Sequence, residues 1–162
     1  MKQLFVVDSS YHGHGSIKFA WQPAGNFLAT AGENGVVHIF DRRGKVVDQF
    51  DLPLKNPIVD LGWDCEGETI GLIQKGSRQI HLWGLTNRSV HVVDTSFTEL
   101  TFLRWSKHGP QMAVGSKKGN LLIYRKDSMK KQDIKGTFEG SCTVLTCFLS
   151  FTRHCYRVYV HL

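Results

Sequence analysis

Apolar and polar residues alternate in short runs along most of this 162-residue chain. In Ile17-Lys18-Phe19-Ala20-Trp21 the large apolar side chains occupy every second position, the period of a strand with one buried face. Pro23-Ala24-Gly25-Asn26 breaks the alternation with turn-forming residues. Phe27 to Ala31 forms a second run, and Glu33-Asn34-Gly35 ends it. Asn-Gly tolerates the positive φ angles that a tight hairpin requires. Val36 to Phe40 is a third run. Arg42-Arg43-Gly44 then turns the chain into a fourth, Lys45 to Leu52, which stops before Pro53 and Pro57, residues that cannot donate to a central ladder. No stretch keeps an apolar spacing of three and four over helix length. The pattern predicts four antiparallel strands joined by tight turns.

The same layout recurs. Trp21, Trp63 and Trp105 are each 42 residues apart, and each is followed four positions on by a glycine: Gly25, Gly67 and Gly109. Small residues keep the interval at Ala29, Gly71 and Ala113, and an aromatic residue closes each unit at Phe40, Trp83 and Tyr124. Val59, Leu61 and Trp63 share one strand face, as do Thr101, Leu103 and Trp105. Ser89 to Val93 supplies a fourth run to the second unit, and Ser128 to Ile134, rich in charge, supplies one to the third. A four-stranded unit of about 40–45 residues, repeated, is the blade of a β-propeller. One blade cannot bury both of its faces, so stacked neighbours share stability. The repeated tryptophans are expected between successive sheets.

The units resemble WD repeats. The aromatic-Asp step of that family survives once, at Phe40-Asp41, and becomes Trp83-Gly84 and Tyr124-Arg125 in the later units. Phe19-Ala20-Trp21-Gln22, the stretch from Val37 to Gly44, the stretch from Phe102 to Lys107 and the stretch from Gly119 to Tyr124 are together similar, in order and spacing, to the N-terminal propeller of a WD-repeat subunit of the intraflagellar transport A complex. The resemblance covers roughly residues 1–135. It implies a protein–protein interaction scaffold, with no enzymatic activity, no cofactor and no small-molecule substrate. Its partners would be other subunits of that complex. Its place would be the cytoplasm and the cilium, including the ciliary base, and its work retrograde transport, cilium assembly and receptor delivery.

The expected fold class is therefore all-β: a partial WD-repeat β-propeller over residues 1–140, with four-stranded antiparallel blades at about 14–52, 57–94 and 99–135. Residues 141–162 form a divergent tail or an incomplete fourth blade. A fourth unit would place its tryptophan at position 147, where Cys147 stands, and its glycine at 151, where Phe151 stands. A propeller closes with about 4–8 blades, so the expectation is a truncated or alternative product with open edges.

Charge adds a candidate surface. The net charge is +6, yet residues 1–100 carry nine basic and eleven acidic side chains, while residues 101–162 carry eleven and three. The excess is densest between Lys117 and Lys135. Lys117, Lys118, Arg125 and Lys126 are the candidate partner-binding basic surface. The alternative function is nucleic-acid binding through the same stripe. Against it, no recognised nucleic-acid module is present.

Other chemistry is poorly supported. Gly115-Ser116-Lys117-Lys118-Gly119 lacks the spacing of a phosphate loop and sits where a hairpin belongs. Cys142, Cys147, His154, Cys155 and His161 lack the paired steps of a zinc site, so no metal is expected. Asp41, Asp48, Asp51, Asp60 and Asp64 are scattered over turns and strand ends, with no sign of a catalytic pair. His12-Gly13-His14 reads as a solvated turn, and His38 and His81 as packing or hydrogen-bonding residues of a third strand. No apolar run spans a bilayer. The apolar stretch Leu4 to Val7 is too short for a secretory core of about 7–15 residues. The thiols are accordingly expected to be reduced.

Overall fold

The computed structural model describes residues 5–135. They form three four-stranded antiparallel sheets, each drawn from one contiguous stretch of chain. The first contains β1 (Lys18–Trp21), β2 (Phe27–Ala31), β3 (Val36–Asp41) and β4 (Val46–Asp51). The second contains β5 (Ile58–Trp63), β6 (Thr69–Gln74), β7 (Gln79–Gly84) and β8 (Val90–Asp94). The third contains β9 (Leu100–Trp105), β10 (Gln111–Ser116), β11 (Leu121–Arg125) and β12 (Lys130–Ile134). β1 packs against β5, and β5 against β9, so the first strand of each sheet is innermost. This is the partial propeller that the 42-residue period predicts. Residues 141–162, with Cys142, Cys147 and Cys155, lie outside the described residues.

Local chemistry sets the turns. The glycine four residues after the tryptophan has φ +69° in Gly25 and +72° in Gly67, a region that side chains with a Cβ rarely enter. At the β3–β4 turn Asp41 Oδ1 accepts from the amides of Arg43 (2.8 Å) and Lys45 (2.9 Å). Asp64 Oδ1 accepts in the same way from Glu68 and Thr69 at 2.9 and 3.1 Å. Asn34 caps the β2–β3 hairpin by accepting from the amide of Val36 at 3.1 Å.

Packing between sheets repeats with the sequence. Ala29, Ala31, Val37 and Ile39 on one face of the first sheet meet Leu61, Trp63, Ile70, Leu72 and Trp83 of the second. Ile73, Ile80 and Leu82 of the second then join Leu103, Met112, Leu122 and Tyr124 of the third. Trp63 Nε1 donates to the carbonyl of Ala20 and Trp105 Nε1 to that of Gly62, both at 3.1 Å. These are equivalent bonds, one per junction. The small residue at 29, 71 and 113 has a packing reason. A Cβ on Gly71 would sit 2.9 Å from the Trp105 indole nitrogen and 3.1 Å from the Met112 sulfur. Turns are tied across the junctions as well. Gln22 Nε2 donates to the Gly67 carbonyl at 2.8 Å, and Cys65 Sγ to the Gly109 carbonyl at 3.5 Å.

Trp21 departs from the expectation. Its indole has no sheet on its far side among the described residues and is 41% exposed, with Phe19 67% exposed beside it. The other half of that face is covered by the segment before β1. Tyr11 meets His38 and Phe40 edge-on at 5.1 and 5.5 Å, and Phe5 stacks on Phe40 at 6.1 Å.

Candidate interaction surface

The four candidate basic residues do not gather in one place. Lys117 and Lys118 are exposed at the β10–β11 hairpin. Arg125 ends β11, and Lys126 follows it, so the two pairs lie at opposite ends of one strand. Gln111, at the far end of β10 from the hairpin, is the register partner of Arg125. The sheets thus present two rims. One carries the β2–β3, β6–β7 and β10–β11 hairpins together with the links between sheets. The other carries the β1–β2 and β3–β4 turns and their equivalents.

Arg125 and Lys126 are engaged on the second rim. Arg125 Nη2 lies 2.9 Å from Asp127 Oδ2, and that hydrogen bond holds the Asp127 carboxyl below its usual range. Lys126 Nζ donates to Asp64 Oδ2, to Glu66 Oε2 at 3.0 Å and to Thr69 Oγ1 at 3.4 Å. Burial alone would lower the Lys126 pKa, but the bonds and charges of Asp64 and Glu66 outweigh it and raise it. The Asp64 side chain is 1% exposed, so this pair is a clamp between the second and third sheets. Nothing local in the sequence marks it.

The first rim is different. Lys117 Nζ lies 3.8 Å from Glu99 with both side chains more than half exposed, a weak contact. Lys118 has no ion-pair partner among the described residues. Nor have Lys55, Lys75, Arg78 and Lys135, which share that rim and lie outside the four candidate residues. Their loops are fixed by hydrogen bonds: Lys75 N donates to the Pro57 carbonyl and Lys117 N to the Glu99 carbonyl, both at 2.9 Å, and Thr95 N to the Arg78 carbonyl at 3.0 Å. Asn56 Nδ2 reaches the Lys75 carbonyl at 3.1 Å. Beneath them Gln74, fully buried, donates to the carbonyls of Leu54 and Asn56, the latter at 3.2 Å.

The histidines correct one expectation. His12 is not in a solvated turn: it is 1% exposed, its Nε2 is 2.8 Å from Thr30 Oγ1, and its ring meets His38 edge-on at 5.2 Å. Burial and then the neighbouring His38 push the His12 pKa down. Burial lowers that of His38 against the pull of Asp51, and burial alone lowers that of His81. His38 and His81 do pack in the third strands, as expected. The acidic residues named in the sequence do not converge: Asp60 pairs with Arg104, Asp64 with Lys126, and Asp48 with Arg88 at 3.3 Å. The described residues contain no cluster of three or more His, Cys, Asp or Glu side chains that could hold a metal ion.

The WDR19 first beta-propeller model matches residues 17–147. WD repeat-containing protein 19 of Mus musculus and of Homo sapiens are each 37% identical to the chain over 139 residues, which is 84% of this chain and 10% of each relative. WD repeat-containing protein dyf-2 of Caenorhabditis elegans is 31% identical over 139 residues, 83% of this chain and 10% of that protein. The chain therefore spans about 10% of the length of the curated relatives it matches. With three stacked four-stranded sheets, and with that match over most of its length, the chain belongs to the family of the WDR19 first β-propeller.

Proposed function

We propose that this chain is a non-enzymatic scaffold segment that contributes to the intraflagellar transport A complex, in retrograde ciliary transport, cilium assembly and receptor delivery. It would act in the cytoplasm and the cilium, including the ciliary base. The observation that carries this reading is the family match over residues 17–147, laid on sheets that hold their loops rigidly. Loops on a rigid sheet scaffold are where such proteins make contacts. Lys117 and Lys118 are the partner-facing members of the basic set, because they stand exposed at a hairpin tip. Arg125 and Lys126 contribute less, since both already hold carboxylates.

The test is affinity purification of the tagged chain from ciliated cells. Recovery of other intraflagellar transport A subunits, with the tag concentrated at the ciliary base, is the expected result. A tag that recovers none of them and spreads evenly through the cell would refute the proposal. Nucleic-acid binding is separated by a mobility-shift titration. Phosphate contacts weaken steeply with salt, and no shift is expected near physiological salt.

A further inference from the structure

We infer that the first rim, over the second and third sheets, is a docking surface for an acidic, extended peptide segment carrying an apolar residue. This rests on the scaffold reading above and names the chemistry of the partner.

The argument begins with which charges are free. Lys55, Lys75, Arg78, Lys118 and Lys135 are exposed and have no ion-pair partner among the described residues, and Lys117 has only its loose contact with Glu99. On the opposite rim Arg88, Arg125 and Lys126 hold carboxylates, while Arg43, Lys45, Lys107 and Lys130 have no ion-pair partner among the described residues. Over the second and third sheets the first rim thus carries five exposed cations without an ion-pair partner among the described residues, against two, Lys107 and Lys130, on the other.

The second point is rigidity. The links and hairpins that carry these cations are tied to one another through Lys75 N, Asn56 Nδ2, Thr95 N and Lys117 N. Gln74 holds the 54–56 link from below with a side chain that is 0% exposed. A partner therefore meets a surface that needs little ordering, which lowers the entropic cost of binding.

The third point selects the partner. The cations are spread along the loops of two neighbouring sheets and do not converge on a pocket, so a single phosphate would not be enclosed. Leu54 is 46% exposed among them, an apolar contact point beside Lys55. The loops 53–57, 75–78 and 117–120 contain no aromatic residue on which a base could stack. Glu99, Asp94 and Asp133 are interspersed along the same sector. They would repel a continuous phosphate backbone, whereas a peptide can set an uncharged residue opposite each of them.

The experiment is fluorescence anisotropy on the whole 162-residue chain with a labelled twelve-residue probe of alternating Glu and Ser around a central Leu. Binding that weakens with salt is expected, with no binding of the Gln-for-Glu probe. The triple variant Lys75→Glu, Lys117→Glu, Lys118→Glu should weaken it at least about tenfold. Leu54→Ser should weaken it by a smaller factor that does not change with salt, and Arg88→Glu on the opposite rim should leave it unchanged. Melting curves of each variant report folding separately. Equal binding by wild type and triple variant would overturn the inference, as would tighter binding to a 20-nucleotide DNA or to phosphatidylserine vesicles. Peptide binding without recovery of transport subunits would sink the functional proposal and leave this one standing; the reverse outcome would do the opposite.

Discussion

The two faces of the first sheet are built from the same four strands but are covered in different ways. One face offers Ala29, Ala31, Val37 and Ile39, each 0% exposed, to the aliphatic and indole side chains of the second sheet. The other offers Leu28, Thr30, His38 and Phe40, and is covered by Tyr11, His12 and Phe5. The equivalent face of the second sheet carries Ile70, Leu72, His81 and Trp83 and takes a neighbouring sheet. A strand face at one repeat position can thus be closed by another blade or by a short strap. The strap closes it incompletely, leaving Phe19 and Trp21 in solvent, and it brings titratable groups where the junction has few.

The largest effect that tests this difference is at the junction. Trp63→Ala should lower unfolding free energy by about 3–5 kcal/mol in urea denaturation, because it removes a buried indole and its bond to Ala20. His12→Ala should cost about 1–3 kcal/mol by the same measurement. It empties a buried site and leaves Thr30 Oγ1 without its partner. A cost equal to that of Trp63→Ala would mean that strap and blade are equivalent covers.

Acid should act on the strap face next. His12, His38 and His81 all have folded pKa values below the usual one near 6.5, so the unfolded chain binds more protons under mild acid. Their contribution to stability is therefore full above about pH 6.5 and is lost as pH falls toward the lowered values. Replacing His12 and His38 together with Gln should flatten part of that slope, and His81 should retain the remainder. A slope unchanged in the double variant would place the sensitivity elsewhere. The smallest effect is expected at Trp21→Ala, below about 1 kcal/mol, since its ring is already 41% exposed. A loss matching that of Trp63→Ala would erase the distinction between the two faces.

Much of the architecture was legible because it is local and repeated. The interval of 42, the glycine after each tryptophan and the small residue after that are short-range signals of strand, turn and close packing, and each recurs. What the repeat could not reveal is who the neighbour is. Trp21 has the same sequence context as Trp63, yet nothing in its own segment says that no sheet lies beyond it among the described residues. His12 lies outside the repeat and looked solvated, because its cover comes from Thr30 and His38, 18 and 26 residues away. The clamp of Lys126 on Asp64 joins residues 62 apart in the sequence. The division of the candidate basic set, by contrast, was within reach. A single predicted strand separates Lys118 from Arg125, and a strand carries its two ends to opposite rims.

Each sheet is complete within its own stretch of chain, from β1 to β4, β5 to β8 and β9 to β12. During synthesis no strand of these three sheets has to wait for a remote pairing partner to leave the ribosome. Hairpins close between neighbours, which favours rapid folding, and every finished sheet offers the next a template on which to condense. The amino-terminal strap is made before the face it covers, so it is already at hand when the first sheet closes.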